Sequence, residues 1–562
     1  MSPEPPFSAA SSGSTPESGS GSTPSPGSTR GETATAADGV AALLRRIEEV
    51  DRSGPTLRSV IRTNNDAVTE AAVLDTEAAA GRRRGPLHGV SVLVKDNIDT
   101  AGGMGTTAGS LALAGAGPAA DAPLVRRLRD AGMVVLGKTN LSEWANFRSS
   151  GSSSGWSAVG GLCVNPHALD RSAGGSSSGS GAAVAAGLAP MAVGTETDGS
   201  ILCPAALCGV VGIKPTAGLV DGTGIVPISH SQDTAGPIAR TVRDAALLLS
   251  VLASAGRTGG RGDGRGPGNG GPAGDPPVPG RRAYDDYQAY CRSDGLRGAR
   301  IGLPRHGLWG YSARADALAE EAVRVLAAQG ATIVDPANLP SLDELAMSEA
   351  EMTVLATEFK VGVEAYLATR GVHAPDGRGP ADGASGVAEA SGVAEASGVA
   401  GSDGLRVPRT LADLMAFNDA HADVELAHFG QDRFEDALRT GGLDDPAYRE
   451  ALETCRRLGR TEGIDAALRT HDLDALVAPT YPPAWKIDLV NGDHVSGSCT
   501  QVAAVAGYPV ITVPCGAADG LPVGLAFIGT AWSEPTLIRL AYAFEQALDF
   551  SLTPAFRPPQ TG

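Results

Sequence analysis

Of the 45 basic residues in this 562-residue chain only five are lysine (Lys95, Lys138, Lys214, Lys360 and Lys486), so 40 are arginine. Arginine stays protonated in a protein, whereas a desolvated lysine can become neutral and act as a base. Lys95 ends the apolar run VSVLV and is followed by Asp96 and Asn97. That places it at the C-terminal end of an expected buried strand, the edge where open α/β sheets gather ligands. Lys138, in VVLGKTN, has a similar setting. The plainer reading of Lys95 is a strand-end lysine paired with Asp96 or Asp99, and position alone does not choose between the two lysines.

Serine supplies the other half of the chemistry, because its hydroxyl becomes a good nucleophile only when a neighbouring base takes its proton. The run GGSSS at 174–178 is followed directly by SGAAVAAGLAP, which reads as a helix with Gly187 as its stop and Pro190 beyond. The serines then sit just before a helix N-terminus, where unpaired N–H groups and the dipole point. A nine-residue helix advances roughly 13 Å, and the strand-like MAVGT returns about 16 Å. The loop ETDGS can therefore end beside GGSSS, and Ser176 and Ser200 can meet across 24 residues. Taken singly, GGSSS also reads as a flexible loop and TDGS as an ordinary turn.

Rival constellations are weaker. GSSSG occurs at 151–155 and at 175–179 and satisfies the G-x-S-x-G pattern of a nucleophile elbow. That elbow needs a hydrophobic strand immediately before it. CVNPHALDRSAG and NFRSS supply none, and serine-rich sequence matches the pattern easily. The nine histidines form no H-E-x-x-H, and His421 and His428 lie seven apart on an expected helix. The glycines give no Walker pattern and no convincing dinucleotide fingerprint. Seven cysteines, an odd count with no zinc-site spacing, imply neither a disulfide framework nor a metal site. Cys203 and Cys208 flank PAAL, which reads as buried packing.

These residues need a scaffold, and the pattern supplies one by alternation. GVSVLVKDNID (89–99) reads as strand, APLVRRLRDAG (122–132) as helix and MVVLG (133–137) as strand. The same alternation recurs at 317–336, 502–514 and 524–529, before an amphipathic helix at 533–548. The fold class expected is α/β, one large domain with helices on both faces of a central sheet. Helical patterns at 342–370 and 409–470 read as an elaboration on that core, with the segments 342–370 and 409–440 expected to line the pocket. Residues 1–37, rich in Ser, Gly, Pro and Thr, read as a disordered tail ahead of a domain spanning 38–562. The tracts 256–280 and 384–404, the latter a hexapeptide near-repeat, read as surface insertions. The net charge of −18 disfavours nucleic-acid and anionic-membrane partners. No apolar run reaches the roughly 18 to 20 residues of a membrane span, and the start has no secretory-signal pattern. A cytoplasmic protein is expected.

Three stretches combine into one likeness: VLVKDNID with Lys95; the long segment 172–216 from SAGGSSSGSG through TDGSILCPAALCGVVGIKPT; and ISHSQDTAGPIARTVRDAALLL at 228–249. Together they closely resemble the amidase signature family. GLRGARIGLPR, AVAGYPVITVP and LPVGLAFIGTAWSE extend the likeness over about 38–555. The resemblance implies the family's mixed central sheet and amide hydrolysis by a Ser-Ser-Lys triad: Ser200 as nucleophile, Ser176 as a bridging serine held by a cis peptide, and Lys95 as base. It further implies an oxyanion hole from the N–H groups of Thr197, Asp198, Gly199 and Ser200, supporting roles for Ser178, Thr195 and Asp233, and no metal or cofactor. Many family members carry GGSIR at the nucleophile, including the amidase component of glutamyl-tRNA amidotransferase; this chain has DGSIL. That departure, with FGQDRFEDAL (429–438) and GDHVSGSCTQVAAVAGYP (492–509), looks more like the peptide amidase branch. The expected substrate is a small-molecule or peptide amide, taken by a monomer or homodimer. The alternatives are an aryl or aliphatic acylamidase, a catalytically silent binding subunit, or an ammonia-supplying component of an amidotransferase.

Overall fold

The computed structural model describes residues 35–115, 117–253, 284, 286–370 and 408–559. The expected insertions at 256–280 and 384–404, and residues 1–34 of the expected tail, lie outside them. Thr35 to Ala37, assigned to the tail from composition, instead start a helix: the Thr35 hydroxyl accepts from the Asp38 N–H while the Asp38 carboxylate accepts from the Thr35 N–H. A reciprocal cap of this kind satisfies two backbone donors that a helix start leaves open.

Eleven strands form one mixed sheet: β1 (Val60–Thr63), β2 (Ser91–Lys95), β3 (Val134–Thr139), β4 (Met191–Glu196), β5 (Val211–Lys214), β6 (Thr234–Ala239), β7 (Arg300–Gly302), β8 (Thr332–Val334), β9 (Ala475–Pro479), β10 (Val510–Ala518) and β11 (Leu521–Ile528). Their order is β1-β3-β2-β4-β6-β5-β10-β11-β9-β7-β8. The strands β3, β2 and β4 run parallel, and β6 pairs antiparallel with β4. Successive side chains of a strand point to opposite faces. Leu93, Leu136 and Ala192 accordingly enter one core, while Val92, Val94, Val135 and Val193 enter the other. A strand buried on both faces reads as a continuous apolar run, which is why VSVLV and MVVLG are legible.

The helices that matter below, in chain order, are α1 (Ala36–Arg46), α2 (Ala67–Ala79), α3 (Ser178–Ala185), α4 (Leu202–Cys208), α5 (Val242–Leu252), α6 (Ala350–Thr369), α7 (Leu411–Ala420), α8 (Asp432–Leu438) and α9 (Glu534–Leu548). The helices α1, α2 and α3 cover one sheet face; α5 and α9 cover the other. The pattern at 409–470 is not one helix. It breaks after α7 and again at Gly430 and Gly441–Gly442, so His421 caps α7 and His428 stands in a loop, edge-on to Trp156. The helices α6, α7 and α8 share a separate apolar cluster, in which Phe359 stacks on Phe434. This elaboration therefore carries its own core above the strand ends.

Candidate active site

The lysine at the end of β2 is fully buried. Lys95 Nζ lies 2.8 Å from Ser176 Oγ, 2.8 Å from Thr195 Oγ1 and 3.2 Å from the Thr195 carbonyl oxygen. Among the described residues no carboxylate is in ion-pair contact with it. Loss of solvent lowers its pKa to about 7, against a smaller upward pull from the more distant charges of Asp233 and Glu196. Burial penalises the ammonium form and leaves a neutral amine within reach near neutral pH. Asn97, two residues on, donates from Nδ2 to Thr195 Oγ1 at 3.0 Å.

The run 174–178 is a rigid turn. Gly174 has φ +72°, and the Gly175–Ser176 peptide is cis. A side chain on Gly175 would collide with Ser142 Oγ, so glycine is required for packing here. The Ser178 hydroxyl donates to the Gly174 carbonyl at 2.5 Å, and the Ser176 carbonyl accepts from the Ser142 N–H at 3.0 Å. The Ser177 N–H donates to the Ser200 carbonyl at 3.0 Å, while its hydroxyl donates to the Thr195 carbonyl at 3.0 Å. The two serine turns are thus sewn together, with Ser176 facing Lys95.

A second tight turn carries Ser200. The Glu196 carboxylate, at the end of β4, accepts from the N–H groups of Gly199 (3.0 Å), Ile201 (2.7 Å) and Leu202 (2.9 Å). It caps α4 from below and skips Asp198 and Ser200, whose N–H groups have no partner among the described residues. Gly199 has φ +76°, and a side chain there would strike the Tyr481 hydroxyl. The Thr197 hydroxyl donates to Asp233 Oδ1 at 2.5 Å, and Asp233 Oδ2 accepts from the Ile228 and Ser229 N–H groups at 2.9 Å each. Burial raises the Asp233 carboxyl to about 6.

A cavity of about 420 Å³ opens onto this turn and is lined by Thr197, Asp198 and Ser200. Ser176 and Lys95 are not among its lining residues, although Gly175, the chain neighbour of Ser176, is. Met352 and Leu355 of α6 form part of its wall, as the 342–370 pattern leads one to expect, and Arg433 of α8 lines it too. The Asp432 carboxylate fixes α8 against the opposite rim by accepting from the Ser149 hydroxyl (2.6 Å) and the Ser150 N–H (3.1 Å). The Arg433 guanidinium has no hydrogen-bond or ion-pair partner among the described residues. A larger cavity, about 610 Å³, lies on the far side of Trp485 and contains none of the serines or lysines above. Among the described residues no cluster of three or more His, Cys, Asp or Glu is placed to hold a metal, and no helix is long and apolar enough to cross a membrane.

A family model described as Amidase matches residues 38–538. The chain belongs to the amidase family. This amidase is similar to the solved native peptide amidase of Stenotrophomonas maltophilia, at 50% identity over 93% of this chain and 96% of that one, with a TM-score of 0.78. It is 35% identical to a protein of Arabidopsis thaliana described as a probable amidase, over 91% of this chain and 87% of the relative. It is 34% identical to a component of the glutamyl-tRNA(Gln) amidotransferase of Moorella thermoacetica, over 92% of this chain and 94% of that relative. The large mixed sheet is the amidase signature fold, and the chain is an amide-hydrolysing enzyme.

Sequence reading put Lys95, Ser176, Ser178, Thr195, Thr197, Asp198, Gly199, Ser200 and Asp233 in one site, and the amidase brings all nine to the ends of β2, β4 and β6. One of the four expected oxyanion donors, the Gly199 N–H, already donates to Glu196. Ser177, Glu196 and Asn97 escaped the sequence reading. Only adjacency to the motifs could have flagged them, since each acts through backbone groups or a hydroxyl set in place by folding. In the GSSSG at 151–155, Ser152 and Ser154 line the cavity, while the Ser153 hydroxyl donates to the Asp488 carbonyl at 3.0 Å.

Proposed function

We propose that this amidase removes ammonia from the terminal carboxamide of peptide amides through an acyl-enzyme on Ser200. The observation that carries the reading is the 2.8 Å contact of a buried, carboxylate-free Lys95 amine with Ser176 Oγ, directly beneath the turn that presents Ser200 to the cavity. Ser200 Oγ attacks the carboxamide carbon while its proton passes to Ser176, whose own proton passes to Lys95. The carbonyl oxygen, now an anion, is received by the N–H groups of Asp198 and Ser200, with Thr197 beside them. Each such donor contributes on the order of 3 kcal/mol when aimed at the developing charge. The proton returns through Ser176 to the nitrogen, ammonia leaves, and water releases the acid by the same route. The family likeness supports a Ser-Ser-Lys assignment of this kind, and the peptide amidase of S. maltophilia supports the substrate class. The unpartnered Arg433 guanidinium in the cavity wall suits a substrate that offers a further carbonyl oxygen upstream of the scissile group.

The test is ammonia release from a panel of peptide amides, short aliphatic amides and anilides by the chain alone, with a serine-directed fluorophosphonate to mark the nucleophile. Peptide amides should give the highest kcat/KM, the label should land on Ser200, and Ser200→Ala should lower kcat by roughly 10⁴-fold or more. A label on Ser153 or Ser177 would overturn the assignment. Ammonia released only with an added partner protein would favour an amidotransferase role like that of the Moorella relative.

A further inference from the structure

A neutral lysine amine carries two N–H donors and one lone pair. Lys95 has three partners in hydrogen-bond range: the Thr195 carbonyl, the Thr195 hydroxyl and the Ser176 hydroxyl. The carbonyl can only accept, so it takes one N–H. One N–H and the lone pair then remain for two hydroxyls, and one hydroxyl must donate to the amine while the other accepts from it. Catalysis requires Ser176 to be the donor, because a base that accepts its proton from Thr195 is turned away from the nucleophile. Thr195 must therefore accept from Lys95 and send its own hydrogen elsewhere.

Asn97 is the one other group hydrogen-bonded to Thr195 Oγ1 among the described residues, at 3.0 Å. Its side chain is buried, with Nδ2 toward Thr195 and Oδ1 without a partner. In that orientation Asn97 donates to Thr195, and the threonine hydrogen has only the Lys95 lone pair left to meet. The two ends of a carboxamide have the same shape and exchange by a half-turn about the terminal torsion. With Oδ1 turned inward the count closes at Lys95 and Thr195: Thr195 donates to Asn97, Lys95 donates to both oxygens of Thr195, and the lone pair faces Ser176.

We propose that Asn97 is a positioning residue which, by accepting the Thr195 hydroxyl hydrogen, aims the Lys95 lone pair at Ser176. It touches neither substrate nor a reacting atom and acts only through Thr195. The inference rests on Lys95 being the base, as proposed above.

The experiment is a double-mutant cycle on ammonia release from a peptide amide, with melting temperature recorded for every variant. Asn97→Leu keeps the volume and removes the acceptor; kcat should fall about 100-fold with KM held within about twofold. Thr195→Val removes the competing hydroxyl and should cost about tenfold. In the double variant the loss should return to about tenfold, so Asn97→Leu does no harm once Thr195 cannot compete. Asn97→Asp, which can only accept when ionised, guards against a folding artefact. It should keep Lys95 aimed and recover within about tenfold of wild type at high pH, with its acid limb moved upward because the new negative charge stabilises the ammonium. Losses that simply multiply in the double variant, or a wild-type kcat in Asn97→Leu, would overturn the inference. Lys95→Arg separates the two readings: activity surviving that change sinks Lys95 as base, whereas an inactive Lys95→Arg with multiplicative losses sinks only Asn97.

Discussion

Two lysines lie in the last two positions of adjacent parallel strands of this amidase, and they meet opposite surroundings. Val94 pairs with Lys138 and Lys95 with Thr139, so the two side chains leave the sheet at nearly the same level. Both are fully buried. Lys138 meets a carboxylate, Asp96 Oδ1 at 3.5 Å, and four oxygens of the 98–106 loop: the Ile98 carbonyl (2.5 Å), Thr100 Oγ1 (2.9 Å), the Gly105 carbonyl (3.1 Å) and Thr106 Oγ1 (3.0 Å). An amine ringed by acceptors and paired with an anion holds its proton, and its pKa falls only to about 8 because Asp96 and Asp99 oppose the effect of burial. The Thr100 and Thr106 hydroxyls beside Lys138 donate to the Ile98 carbonyl, whereas Lys95 faces the hydroxyls of Ser176 and Thr195 and no carboxylate of the described residues is in ion-pair contact with it. Both are buried near a strand end, so the difference between a staple and the proposed base lies in the partners, which the one-residue offset in register helps to select.

The same substitution in both places breaks the symmetry most sharply. Methionine has nearly the length of lysine and no amine. Lys95→Met should lower kcat by about 10⁴-fold while costing less stability than Lys138→Met, because removing the Lys95 amine leaves no contacting carboxylate without its cation. Lys138→Met should do the reverse. It leaves Asp96 buried without its cation, a change that costs about 3 kcal/mol or more, and the loss reads out in denaturant unfolding while kcat per folded molecule stays within about tenfold. Equal losses of activity in the two variants would erase the distinction.

Sequence reading reached Lys95 and Lys138 together and could not separate them, for a physical reason. Local pattern reports burial and strand ends, so the VSVLV and MVVLG runs, the Ala-rich α3 and the amphipathic α9 were legible from periodicity. It does not report which loop folds over a strand end. The oxygens that hold Lys138 lie 32 to 40 residues away, and Thr195 lies 100 residues from Lys95. The residues proposed as the triad were legible only because the motif likeness carries that long-range information. Glu196, whose carboxylate ties three N–H groups of the Ser200 turn, looked like an ordinary acidic residue in ETDGS. At 409–470 the helical pattern hid its interruptions, because α7 and α8 bury apolar faces with the same spacing that one long helix would show.

A smaller effect sharpens the comparison through pH. If Lys95 is the base proposed above, its working form is the neutral amine, and kcat/KM should rise about tenfold per unit as pH climbs toward about 7 and level above it. The midpoint belongs to Lys95 alone. It should stay in place in Lys138→Met, since Lys138 is not among the charges acting on Lys95. A limb that moved with Lys138 would mean the two amines titrate as one system.

The smallest effect concerns the anion that Lys95 feels without touching. Of the two charges that favour its ammonium form, Asp233 is the larger. Asp233→Asn keeps an oxygen for the Ile228 and Ser229 N–H groups and asks only that the Thr197 hydroxyl change from donor to acceptor. Removing the negative charge makes the ammonium less favourable, so the Lys95 pKa falls and the acid limb moves to lower pH. At pH 6.5, roughly half a unit below the wild-type midpoint, the variant should retain a larger fraction of its own plateau than wild type does. Toward pH 6 and below, the two profiles should converge, because wild-type Asp233 takes up its own proton near about 6 and loses the same charge. An upward shift, or a gap that widens below pH 6, would show that Asp233 acts on the Thr197 turn and not on the lysine.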